Sequence, residues 1–202
     1  MNQINFDYSS YQSPSVASQK NNVTTFSNGL VYNAAYKGKL SSAEINKVVE
    51  NYSVYKLAAD YTGIPWKMLA AVHYRETSLS IKSNPHGGPF RFDKTEHHAN
   101  EEEFIVGAYY AARLLQEKSG HRLDPTTTDP HIIKTAFFRY NGTGYGTYDK
   151  SPYVMNGFDN EHSNMRVVGT DIDKNGHRFP VNIVDRQMGA YVFYQELNKA
   201  FP

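Results

Sequence analysis

The segment Tyr61-Thr-Gly63-Ile-Pro65-Trp66-Lys67-Met68-Leu69-Ala70-Ala-Val72-His73-Tyr-Arg75-Glu76-Thr77-Ser78 places a single carboxylate at the end of an apolar run. Gly63 is a good helix stop and Pro65 a good first-turn residue, so the spacing predicts a helix from Pro65 to about Glu76. Its apolar residues are Trp66, Met68, Leu69, Ala70 and Val72. At a helix C-terminus the dipole disfavours an anion, and partial burial disfavours it further. A glutamate held there has the character of a general acid. The plainer alternative is that Glu76 pairs with Arg75 or Lys67 on the surface.

Three further pieces follow Glu76 in order: Gly88-Pro-Phe90-Arg91-Phe-Asp93, Ala136-Phe-Phe-Arg-Tyr140-Asn141-Gly142 and Pro152-Tyr153-Val154. With the Glu76 segment they resemble the motifs of the lysozyme-like superfamily, especially soluble lytic transglycosylases and goose-type lysozymes. The first resembles that group's "Tyr-Gly-Ile-Pro… Leu-Leu-Ala… Glu-Ser" helix. The others resemble its Gly-Leu-Met-Gln-x-Asp/Pro stretch, its Ala-x-x-Ala-Tyr-Asn-x-Gly motif and the Tyr-Val pair after it. The resemblance covers roughly residues 50 to 155 and the last helix. Each motif is weak alone, but four in order at sensible spacing are specific.

The resemblance implies cleavage of the β-1,4 bond between N-acetylmuramic acid and N-acetylglucosamine in peptidoglycan, with Glu76 protonating the glycosidic oxygen and no cofactor required. In a lytic transglycosylase the same glutamate returns as base to the muramyl 6-hydroxyl and a 1,6-anhydro sugar forms; this is the principal expectation. In an inverting muramidase a second carboxylate activates water, the two carboxyls standing about 6.5–9.5 Å apart. Asp93 sits where goose-type enzymes keep an Asp, and its plain alternative is a loop residue or a partner of Arg91. By the same resemblance Tyr140 hydrogen-bonds at the catalytic centre, and Thr77, Phe90, Arg91, Asn141, Tyr145 and Tyr153 become candidate substrate contacts. Tyr148 belongs to the same loop. Two departures stand out: Thr77 replaces the family Ser and keeps a hydroxyl, whereas Arg91 replaces the family Gln with a fixed planar cation. Arg91 favours a rival of another class, a catalytically silent glycan-binding or virion structural protein that keeps the lysozyme shape.

The elements that must position these residues are mostly helical. Ser41-Ser-Ala-Glu44 is a capping-box pattern, followed by Ile45, Val48, Val49, Tyr52, Val54, Leu57, Ala58 and Tyr61 as a drifting apolar stripe. Residues 77–100 read as loop. Helices follow from about Glu102 to Lys118, with Phe104, Ile105, Ala108, Ala111, Ala112 and Leu115 inward, and from Asp129-Pro130 to Asn141-Gly142. The stretch Gly142–Gly157 has few helix signals. Met165-Arg-Val-Val and Arg178-Phe-Pro-Val flank Asn175-Gly176 as a small β-ribbon, and a last helix is expected over Ile183–Lys199. The expected fold is α+β and mostly helical: a lysozyme-like domain over 41–202, with long cleft-lining loops, after a polar N-terminal arm or linker over 1–40.

Composition sets outer limits. The chain has 202 residues, enough for one domain with a substantial core, and 21 Lys and Arg against 20 Asp and Glu leave a net charge of +1. That balance argues against a nucleic-acid partner. With no cysteine, thiolate chemistry and disulfides are excluded. No apolar run is long enough for membrane insertion. The start Met1-Asn-Gln-Ile-Asn-Phe-Asp7 has neither a basic nor an apolar segment, so no signal peptide is expected. Together with the resemblance this suits a phage or prophage lysin, released through a holin or carried in a particle or tail through residues 1–40, and acting on glycan strands of the bacterial cell wall.

Two metal patterns are weak. Asp171, Asp173, Asn175 and Gly176 match the first half of a calcium loop, but the twelfth position is Asn182 and no helix precedes it; an Asx-rich turn is the ordinary reading. His97 and His98, near His86 and Glu96, match no zinc spacing.

Overall fold

The computed structural model describes residues 16–20, 22–81, 101–173 and 175–202. In chain order it contains β1 (Val16–Lys20), β2 (Val23–Phe26), β3 (Val31–Asn33), α1 (Ser42–Thr62), α2 (Trp66–Thr77), α3 (Glu101–Lys118), α4 (Pro130–Asn141), a 3-10 turn (Tyr148–Lys150), α5 (Pro152–Met155), β4 (Arg166–Ile172), β5 (Arg178–Val184) and α6 (Ala190–Ala200). The class is α+β.

Local chemistry explains the helix limits. Ser41 and Glu44 form a reciprocal capping box at the start of α1, and Gly63 ends it in the left-handed conformation at φ 70°, its N–H returning to Ala59 O. The apolar stripe drifts further than its spacing predicts. Tyr55 and Ala59 are buried, while Leu57 and Tyr61 are exposed, Tyr61 lying edge-on to Tyr109. At α2, Met68 through His73 are six consecutive residues with no exposed surface. A helix buried on every side belongs at the centre of the bundle. Around it pack α1, α3 and α6, with α4 and α5 closing the end from which Glu76 emerges. Tyr74 stacks on Phe193 of α6 at 4.0 Å between centroids.

Three regions differ from the sequence reading. First, the polar segment before residue 41 is folded from β1 onward, where β1, β2 and β3 form an antiparallel sheet. Leu30 and Leu40 join the core, Asn28 Nδ2 donates to Val49 O at 3.1 Å, and Tyr32 packs on Phe201. The anchor is Glu196 of α6. Its buried carboxylate accepts from Tyr36 Oη at 2.5 Å, Lys39 N at 2.8 Å and Lys199 Nζ at 2.7 Å. Residues 1–15 lie outside the described residues.

Second, the last helix begins at Ala190 rather than Ile183, because Ile183 and Val184 pair with Val167 and Arg166 in the β4–β5 ribbon. Gly189 forms the corner. A Cβ there would collide with the carbonyl of Val154, and its N–H donates to Asn156 O at 2.8 Å. Third, a helical turn, α5, appears within Gly142–Gly157. Pro152 fixes its first residue, and Ser151 O accepts from Val154 N and Met155 N.

Among the described residues, no helix is long and apolar enough to cross a membrane.

Candidate active site

Glu76 is the penultimate residue of α2 and is half-buried. The chain leaves the helix there under constraint. Ser78 and Leu79 both take left-handed φ values, 55° and 62°, which cost non-glycine residues about 1–2 kcal/mol each. Such a turn persists only where its surroundings over-determine it. Here they do: Leu79 is buried, and Ser78 O accepts from Lys47 Nζ at 3.0 Å. Ser80 O accepts from Thr77 Oγ1 at 3.1 Å and from His73 Nε2 at 3.0 Å. A carbonyl only accepts, so Nε2 carries the proton and Nδ1 receives the Tyr55 hydroxyl at 2.6 Å. Burial pushes the His73 pKa down to about 3, against a smaller rise from its bond to Ser80, and the ring is neutral. His73 is therefore a strut of the turn. Thr77 likewise turns its hydroxyl into the turn.

Two tyrosines meet Glu76 from other elements. The Tyr153 hydroxyl, on α5, donates to Glu76 Oε1 at 3.0 Å. Tyr140, at the end of α4, is buried within the field of the same carboxylate. Burial, reinforced by the Glu76 charge, holds both phenols well above the usual tyrosine range, so both keep their protons. One carboxyl and two proton-bearing phenols thus converge from three helices. This arrangement can hold a carboxyl in one orientation and offer hydrogen bonds to a ligand beside it.

The surface ion pair does not form as the spacing suggests. Arg75 turns away from Glu76 and binds Asp185, Nη2 to Oδ2 at 2.7 Å, with side chains only 6% and 7% exposed. Its Nη1 donates to Met188 O at 3.1 Å and more weakly to Gln187 O at 3.4 Å, while the guanidinium lies 5.0 Å from the centre of the Tyr153 ring. Asn156 donates to the carbonyls of Asp185 and Gln187 and accepts from Met165 N. Beyond this wall lies a cleft of about 550 Å³ of mixed lining, bounded by Asn156, Ser163, Asn164 and Arg186 together with Val184 and Met188. Arg75, Asp185 and Asn156 were not among the candidates read from sequence. The one local signal, Arg75 next to Glu76, points to the wrong partner.

Asn141 is exposed at the end of α4. Tyr145 is committed to the ribbon: its hydroxyl accepts from Val168 N at 2.9 Å and lies 3.3 Å from Val168 O. Tyr148 turns back on α4, its ring beneath Lys134 Nζ at 5.3 Å and its hydroxyl 3.3 Å from His131 Nδ1. Phe90, Arg91 and Asp93, with His86, Glu96, His97 and His98, lie outside the described residues. Asp173 closes the β4–β5 hairpin, its Oδ1 accepting from Asn175 N at 2.8 Å and His177 N at 2.9 Å. Asp171 pairs with Phe179 in the ribbon. Among the described residues no group of three or more His, Asp or Glu is placed to hold a metal ion.

Comparison with protein-family models, curated proteins and solved structures finds no match to this chain.

Proposed function

We propose that this protein cleaves the β-1,4 bond between N-acetylmuramic acid and N-acetylglucosamine in cell-wall peptidoglycan, with Glu76 as acid and then base. The observation that supports the reading is the hydrogen bond from Tyr153 to Glu76, with Tyr140 beside it. Three sequence motifs that resemble those of lytic transglycosylases and goose-type lysozymes thereby meet at one carboxyl. Glu76 gives its proton to the glycosidic oxygen as the bond to the muramyl C1 breaks. The carboxylate then takes a proton from the muramyl 6-hydroxyl, whose oxygen closes on C1 to leave a 1,6-anhydro end. Tyr140 orients the N-acetyl group and Tyr153 fixes the carboxyl. The reaction balances with no water and no cofactor.

Mass spectrometry of purified glycan digested by wild type and by Glu76→Gln tests this. Anhydromuramyl ends from wild type alone are expected. Reducing muramic ends would replace the transglycosylase by an inverting muramidase in which Asp93 handles water. No new ends from wild type would leave a silent glycan-binding or virion protein.

A further inference from the structure

We propose that Arg75, locked by Asp185, is a positioning residue that sets Tyr153 against Glu76; this rests on the reading of Glu76 as the acid. Arg75 and Glu76 are consecutive on the last turn of α2, so their side chains leave the helix about 100° apart. One points to the reacting carboxyl. The other runs beneath the tyrosine that holds that carboxyl, 5.0 Å from its ring centre. Tyr153 is gripped from a second direction as well. Three residues on, Asn156 donates to the carbonyls of Asp185 and Gln187 at 3.0 and 2.6 Å. Those are the residues of the loop that Arg75 holds through Asp185 Oδ2 and Gln187 O. Asp185 tightens the loop further by accepting from Gln187 N at 3.0 Å and donating its own N–H to Met165 O at 2.8 Å. The ring face and the end of α5 are thus referred to one guanidinium.

The chemistry calls for arginine. A planar fork can meet a carboxylate, two carbonyls and an aromatic face at once, whereas an ammonium is a point charge. A buried ion pair is also a poor means of raising stability, since apolar residues of similar volume often do as well. What the pair supplies here is a fixed place for the Tyr153 hydroxyl.

A double-mutant cycle on glycan cleavage decides the matter. Arg75→Lys and Tyr153→Phe are each expected to lower kcat about tenfold, equivalent to about 1.4 kcal/mol of barrier, with KM within about twofold. The double variant should fall no further than Tyr153→Phe alone. A multiplicative loss of about 100-fold would overturn the proposal, because Arg75 would then act independently of Tyr153. Arg75→Met/Asp185→Leu strands no charge; with its fold verified by circular dichroism it should still lose about tenfold in kcat, and full activity in this variant would also overturn the proposal. An activity-free measurement separates this inference from the proposed reaction. The Cζ signal of ¹³C-labelled Tyr153 should move in Glu76→Gln and move in the same direction in Arg75→Lys. Should wild type cleave no glycan, that pair of shifts would still uphold the positioning role, and a Cζ signal that moves in Glu76→Gln but not in Arg75→Lys would refute it.

Discussion

The Tyr153 hydroxyl donates to Glu76 Oε1 at 3.0 Å across 77 residues of chain, joining the one-turn helix α5 to the end of α2, whose middle has no exposed surface. This bond defines the candidate site, because it orients the carboxyl by a donor that keeps its proton. Replacing Glu76 by Gln removes the transferable proton and is expected to lower glycan cleavage by about 10²–10⁴-fold with the fold intact. Turbidity clearing of cell walls, with circular dichroism as the folding control, measures both.

The buried neutral His73 makes stability depend on pH. Its folded pKa of about 3 lies below the ordinary 6.5, so the unfolded chain binds a proton that the folded chain refuses. Stability from this group is complete above pH 6.5 and declines as pH falls towards 3, at about 1.4 kcal/mol per unit. Urea unfolding should give about 2 kcal/mol less stability at pH 5 than at pH 7 from this residue alone. His73→Asn should be less stable at pH 7 and have a shallower slope.

Glu196 docks the N-terminal sheet. Burial pushes its pKa up, but bonds from Lys199, Tyr36 and Lys39 outweigh burial and hold it below the usual carboxylate value. Its contribution is therefore present above the ordinary glutamate pKa and lost as pH falls through the folded one. Glu196→Gln leaves Lys39 N and Tyr36 less well satisfied, with an expected loss of about 1–3 kcal/mol. Limited proteolysis should then cut within residues 22–40 well before the helical body.

Tyr145 pins the β4–β5 ribbon at Val168. A two-stranded ribbon is marginal alone, and the side chains described in both strands are exposed or half-buried. Tyr145→Phe should raise the exchange rate of the Val168 amide about tenfold, a local change of about 1.4 kcal/mol, and leave the amides of α2 as they are. Hydrogen exchange followed by NMR reads both regions in one experiment.

What the sequence made legible was local. The Ser41–Glu44 box, Gly63, Asp129-Pro130 and the apolar run after Pro65 each act within a turn or two of themselves, and the helices begin and end there. Tyr140 and Tyr153 came into view through motif order, which carries long-range information that spacing lacks. The rest depended on partners far along the chain. Strands of three or four residues at 23–33 carry too little pattern to declare themselves, and their anchor, Glu196, is 160 residues beyond Tyr36. Ile183 and Val184 continue an apolar run towards α6, but their cross-strand partners take them into β5. For Arg75 the adjacent acid is the obvious mate, and the real one lies 110 residues away.

Gly189 has a reach that its size conceals. Its lack of a side chain lets the start of α6 lie against the carbonyl of Val154, one residue after Tyr153. Any larger residue would wedge α5 outward and carry the Tyr153 hydroxyl away from Glu76. A mutation far from the carboxyl in sequence, changing no charge and removing no hydrogen-bonding side chain, would thereby undo the contact that orients it. Among proteins descended from a common ancestor with this one, this glycine should drift as little as the glutamate it serves.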